Sequence, residues 1–215
     1  MRKLIFISFL SIIISANLNG QDPHRFDEDI ERFSELSAPE GAKLVIFTGS
    51  SSIRFWEDLD KDCHEMEVLN TGFGGSHMSD LFYFLDQTVL RFHPMEVYIY
   101  EGDNDIAAAK APEAILETAK QIVHKILATD ADIKIHFICA KPSPSRWEYK
   151  DQYLVFNSLL KDYCDSHPQL FYIDVWNPML DVHKRPTPDI FSSDSLHMNR
   201  QGYLLWKDII CKESD

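Results

Sequence analysis

The sequence predicts a single doubly wound α/β domain in which a parallel five-stranded sheet is covered by helices on both faces. Three observations carry that expectation. Five short apolar runs, rich in β-branched and aromatic residues, recur along the chain, and each stops at a turn-forming or polar residue. Longer stretches with helical spacing separate them, and strands that alternate with helices require parallel crossovers. No internal repeat, low-complexity tract or linker divides the 215 residues, so one core is expected.

In chain order, the first segment stands apart. "MRK" is a short basic start, "LIFISFLSIII" is an apolar run too short to span a bilayer comfortably, and "SANLNGQ" is a small, polar exit. That layout is a secretory signal peptide, so residues 1–20 read as a leader, cut between Ala16 and Gln21, and residues 21–215 as the domain. A periplasmic or secreted protein is the expectation. The first strand, "KLVIF" (43–47), runs into "TGSSS", and the second, "EVLN" (67–70), runs into "NTGFGGSH". Helical spacing follows over "SDLFYFLDQTVLRF" (79–92). "EVYIY" (96–100) is the third strand, with "EGDNDI" as its exit. The clearest helix is "PEAILETAKQIVHKIL" (112–127), opened by Pro112, with Ile115, Ala119, Ile122, Val123 and Ile126 on one face. "IKIHFI" (133–138) leads into the Pro-bearing loop "AKPSPSRWEYK" (140–150). A helix over "YLVFNSLLKDYCDS" (153–166), the strand "LFYIDV" (170–175) and a final helix over "NRQGYLLWKDIICK" (199–212), capped by Asn199, complete the set.

Charge and cysteines exclude several functions. The formal net charge is −13, and loss of the basic leader makes the rest more acidic. Such a surface repels phosphate backbones and anionic bilayers, so neither nucleic-acid binding nor membrane insertion is expected. Cys63, Cys139, Cys164 and Cys211 show no CxxC pairing, which argues against a zinc ribbon or a dithiol redox site. Export permits disulfides in any of three pairings, while Cys139, at the end of an apolar run, reads as a buried thiol. No histidine pair has the spacing and carboxylate company of a zinc site, so no metal and no cofactor are expected.

In an open parallel sheet, active groups gather in the loops at the carboxyl ends of the strands. Here those loops supply what acyl transfer needs. A serine hydroxyl becomes a useful nucleophile only when a histidine takes its proton, and the histidine needs an acid to fix its tautomer. "DSLH" places Asp194 and His197 three apart in one turn. Gly75 brings a backbone N–H close to a developing oxyanion, and Asn104 offers a carboxamide. Each segment alone reads more readily as a turn or a cap than as part of a site. Their joint order at the ends of the strands is what points to chemistry.

"TGSSS", "NTGFGG", "GDND" and "DSLH" resemble, in order, the four blocks of the SGNH (GDSL-type) hydrolases, over roughly residues 43 to 210. The resemblance implies a three-layer α/β/α sandwich with a flavodoxin-like sheet. It implies Ser51 as nucleophile, His197 as general base and Asp194 as its orienting acid. The oxyanion hole it implies is the Ser51 N–H, Gly75 and Asn104. The family's first block usually reads Gly-Asp-Ser, where this chain has Gly49-Ser50-Ser51, and the register of the block favours Ser51 over Ser50 or Ser52.

For the substrate, residues 101–113 and 140–150 offer Asp103, Asp105, Lys110, Lys141, Arg146, Trp147, Glu148 and Tyr149, read as a polar, aromatic rim. Arg54 and His77 join Asp103 and Trp147 as candidate substrate contacts. Such a rim suits a carbohydrate or other polar alcohol carrying a short acyl group, acetyl above all. The alternatives are a lysophospholipase- or thioesterase-type acylhydrolase and a catalytically silent carbohydrate-binding protein on the same fold.

Overall fold

The computed structural model describes residues 22–37 and 43–211, so the leader expected over residues 1–20 lies outside the described residues. Five strands, β1 (Leu44–Gly49), β2 (Glu67–Gly72), β3 (Glu96–Tyr100), β4 (Lys134–Ile138) and β5 (Leu170–Ile173), form one sheet in the order β2-β1-β3-β4-β5. Every neighbouring pair is parallel. Helices flank the sheet as the outer layers of an α/β/α sandwich. They are α1 (Asp27–Ser34), α2 (Ser51–Arg54), α3 (Leu59–Asp62), α4 (Met78–Tyr83), α5 (Leu85–Thr88), α6 (Asp103–Ala107), α7 (Pro112–Leu127), α8 (Lys150–Asp165) and α9 (Arg200–Ile210).

Strand burial follows position in the sheet. All six residues of the interior strand β1 are buried, which explains why its sequence is continuously apolar rather than alternating. The edge strand β2 is exposed at Glu67 and buried only at Thr71 and Gly72. Ile46, Phe47, Ile99 and Phe137 fill the centre of the core, with Trp56 and Trp206 beside them.

Among the helices, α7 keeps the bounds its periodicity predicts, and Asn199 caps α9 by accepting from the N–H groups of Gln201 and Gly202. The stretch 79–92 departs from expectation. It breaks into α4, α5 and a 3-10 turn over Leu90–Phe92, with non-helical backbone at Phe84 and Val89. Phe84, Leu85, Val89 and Phe92 nevertheless all stay buried across the breaks. The "GDND" exit, expected as a loop, is instead the start of α6, with Gly102 at φ +102° making the corner. Asp103 and Asp105 then lie in its first turn, where helix N–H groups favour anions.

Of the three possible disulfide pairings the structure forms Cys63–Cys211, while Cys139 and Cys164 remain buried free thiols. The bridge joins the ends of α3 and α9 across 148 residues of chain. Closing so long a loop restrains the unfolded chain, so replacing both cysteines by serine should cost about 2–4 kcal/mol. Urea titration reads this as a lower midpoint, and an unchanged midpoint would show that the bridge adds no stability.

Candidate active site

The turn after β1 is built around Gly49. Its φ is +125°, and a Cβ there would lie 2.0 Å from the Tyr100 carbonyl oxygen, so only glycine fits. The chain can then cross β3 closely enough for the Ser50 N–H to donate to that same carbonyl at 3.1 Å. The Ser50 carbonyl accepts from the N–H groups of Ile53 and Arg54, which starts α2 with Ser51 as its first residue. The backbone of Ser50 makes this turn without a side-chain cap, so the carboxylate usual at that place in the family is not needed for the bend.

The loop before α9 approaches from the other side. Asp194 Oδ1 accepts from the N–H groups of Leu196 (2.9 Å) and His197 (3.0 Å), while Oδ2 lies 2.6 Å from His197 Nδ1. The Leu196 N–H, aided by His197, outweighs the small cost of burial and holds the Asp194 carboxyl at about 2. An ionised acceptor on Nδ1 fixes the proton there and leaves Nε2 free to accept. His197 Nε2 stands 3.1 Å from Ser51 Oγ. The imidazole packs edge-to-face with Phe55, ring centroids 5.1 Å apart.

Ser51, as the first residue of α2, has an N–H without an intrahelical acceptor. Gly75 has φ +84°, and a Cβ placed there would meet no atom within 4 Å, so its side of the site is open. The Asn104 carboxamide donates from Nδ2 to the Ser76 carbonyl at 2.9 Å and accepts at Oδ1 from Arg146 at 3.0 Å. The series from Ser51 through His197 to Asp194 can therefore activate a hydroxyl, with the Ser51 N–H beside it.

The rim reads differently from its sequence. Asp103 is buried, accepting from Arg146 (2.6 Å), Tyr100 (3.0 Å) and the Tyr153 hydroxyl, with Lys141 Nζ 3.6 Å away. A carboxylate so engaged has no capacity left for a sugar, and Asp103 is corrected from substrate contact to scaffold. Lys141 is fully buried, and its Nζ donates to the Leu196 carbonyl in the histidine loop. His77 is corrected likewise. It is buried, burial pushes its imidazole down toward the neutral form, and Nδ1 lies 3.6 Å from Asp105. Arg54 remains near the site, half-buried against Gly74 and paired with Asp29 at 3.2 Å. Trp147 stacks on Trp176 and lines a groove of about 280 Å³ with Pro144, Asp181, Arg185, Pro188 and Ser195.

Glu101 was passed over in the sequence, and no sequence signal distinguishes it from the polar loop around it. It is fully buried; Oε1 accepts from Ser76 Oγ at 2.5 Å, and Oε2 has no partner among the described residues. Burial first, then the charge of Asp105, pushes its carboxyl well above the ordinary range and favours the neutral form. A folded-state value above the unfolded one means this group's contribution is fully present in acid and is lost as pH rises toward the folded value. Glu101→Gln should remove that decline, flattening stability against pH above about 5 by up to about 1.4 kcal/mol per unit. Urea midpoints across the range check it, and equal slopes for both proteins would count against a neutral Glu101.

The sequence profile of the GDSL-like lipase/acylhydrolase family matches residues 37–205. The chain belongs to this family. This GDSL hydrolase is a serine hydrolase of the acylhydrolase and esterase type. Its fold recurs in a GDSL-like lipase from Bacteroides thetaiotaomicron, with 19% identity, a TM-score of 0.73, and 88% of this chain and 96% of that one covered. A lipase/acylhydrolase from Enterococcus faecalis follows with 20% identity, a TM-score of 0.62 and coverage of 78% and 92%. A family 3 carbohydrate esterase from Clostridium thermocellum gives 12% identity, a TM-score of 0.62 and coverage of 77% and 92%. These likenesses establish a shared fold for the GDSL hydrolase, and none of them fixes its substrate. No curated protein sequence matches the GDSL hydrolase.

Proposed function

We propose that the chain is an exported serine esterase that removes short acyl groups, acetyl first, from a carbohydrate or another polar alcohol. The hydrogen-bonded series from Ser51 through His197 to Asp194, at 3.1 and 2.6 Å, is the observation that carries this reading. Ser51 Oγ adds to the acyl carbon and its proton passes to His197 Nε2. The oxygen that becomes negative is met by the N–H groups of Ser51 and Gly75 and by Asn104 Nδ2. His197 returns the proton to the departing alcohol, leaving an acyl-enzyme that water hydrolyses by the same steps.

The groove beside Ser195 supports a polar leaving alcohol, because Asp181 and Arg185 sit among its aromatic and proline walls. Export is supported by the Cys63–Cys211 bridge, which belongs to an oxidising compartment.

A series of p-nitrophenyl esters tests the acyl preference. An apolar channel would raise kcat/KM about fourfold per methylene, from roughly 0.8 kcal/mol of burial each. The expected result is a maximum at acetate with a flat or falling trend beyond it, and a preference for octanoate would overturn the short-acyl claim. A fluorophosphonate should add its mass at Ser51. Inertness to it, with carbohydrate still bound, would favour a silent binding protein.

A further inference from the structure

Asn104 is useful as an oxyanion donor only if its Nδ2, and not its Oδ1, faces the site. The two ends of a carboxamide are alike in shape, so neighbours must decide which way it points. Here both neighbours decide the same way. The Ser76 carbonyl can only accept, and it faces Nδ2; the Arg146 guanidinium can only donate, and it faces Oδ1. Arg146 is itself held, because its other terminal nitrogen donates to the buried Asp103 at 2.6 Å. The segment that carries it is also tied to the histidine loop, where the Ser145 N–H donates to the Ser195 carbonyl at 3.1 Å.

We infer that Arg146 is a positioning residue that orients and polarises the Asn104 carboxamide for the oxyanion. A full positive charge on Oδ1 draws electron density from the amide and makes the remaining Nδ2 hydrogen a stronger donor. The inference rests on the acyl-transfer reading, in which Asn104 serves the oxyanion hole.

The test is a double-mutant cycle with p-nitrophenyl acetate, using Arg146→Ala, Asn104→Ala and the pair. Loss of one oxyanion donor lowers kcat by about 10²–10³, so Arg146→Ala should cost part of that, roughly 10- to 100-fold, with KM nearly unchanged. In the Asn104→Ala background it should cost less than about twofold, since the group it acts through is gone. Added guanidinium ion should restore kcat to Arg146→Ala and not to the double variant. If Arg146→Ala does not fold, Arg146→Lys serves, because a single ammonium does not reproduce the fork that holds the Asp103 carboxylate and the Asn104 carbonyl at once. Equal losses in both backgrounds, or a raised KM with unchanged kcat, would overturn the inference. Fluorophosphonate labelling of Ser51 keeps the two failures apart. Labelled wild-type enzyme with additive losses sinks the role of Arg146 alone, and an unlabelled Ser51 sinks the acyl-transfer reading beneath it.

Discussion

Ser51→Ala should lower kcat for p-nitrophenyl acetate by roughly 10⁶-fold, the scale seen when the nucleophile of a serine triad is removed. The structure gives reason to expect that the fold survives the change. Ser51 Oγ has one described partner, His197 Nε2, whose side chain is 29% exposed and can turn to water. No buried donor or acceptor is stranded, so the melting temperature should move little. The adjacent serines offer no substitute. Ser50 and Ser52 are both buried, at 2% and 3% exposure, and among the described residues only Ser51 of the three hydrogen-bonds an imidazole. The measurement is steady-state kinetics alongside thermal melting. Near wild-type turnover in a folded Ser51→Ala protein would move the nucleophile elsewhere and end the proposed mechanism.

What could be read from the sequence was whatever depends on periodicity and order along the chain. Strand β1 announces itself because an interior strand of a parallel sheet is apolar on both faces. Helix α7 does so because its inward face repeats every three or four residues. The segments bearing Ser51, Gly75, Asn104, Asp194 and His197 stood out by their order at the strand ends, and in the structure Ser51, His197 and Asp194 form one hydrogen-bonded series while Asn104 bonds the carbonyl of Ser76, the neighbour of Gly75.

Side-chain direction was not legible. Asp103 and Lys141 looked like rim residues because polar side chains in loops usually face water. Nothing local to "GDND" or "AKPS" says that Lys141, from the loop after β4, lies 3.6 Å from Asp103 and offsets its burial. The break in residues 79–92 was hidden as well, since Leu81, Phe84, Leu85, Val89 and Phe92 repeat at the spacing of one continuous helix face. The Cys63–Cys211 pairing depends on where the last helix ends against α3, which no spacing rule encodes.

Asp103→Asn should destabilise the protein by about 3–5 kcal/mol, the usual cost of removing one partner from a buried ion cluster. Burial alone would raise the Asp103 carboxyl. Lys141, Arg146 and the hydroxyl of Tyr153 more than cancel that and hold it below the ordinary range. Its folded value therefore lies under its unfolded one, so its contribution is present above the ordinary carboxylate range and is lost as pH falls through the folded value. Asparagine abolishes the contribution at every pH, so the variant's acid limb should be shallower as well as lower. Lys141, already pushed down by burial, can give up its proton in response; Arg146 cannot. The contrast with Glu101, two residues earlier and equally buried, comes from partners alone. Glu101 has a hydroxyl and three nearby carboxylates, Asp80, Asp103 and Asp105, which push its carboxyl up and favour the protonated form. Because the charge on Asp103 helps to keep that proton in place, Asp103→Asn should also weaken the alkaline decline that Glu101 causes. Urea midpoints from acid to alkaline pH test both limbs at once. A loss under about 1 kcal/mol, with both slopes unchanged, would mean that the cluster is solvated and that Asp103 holds nothing in place.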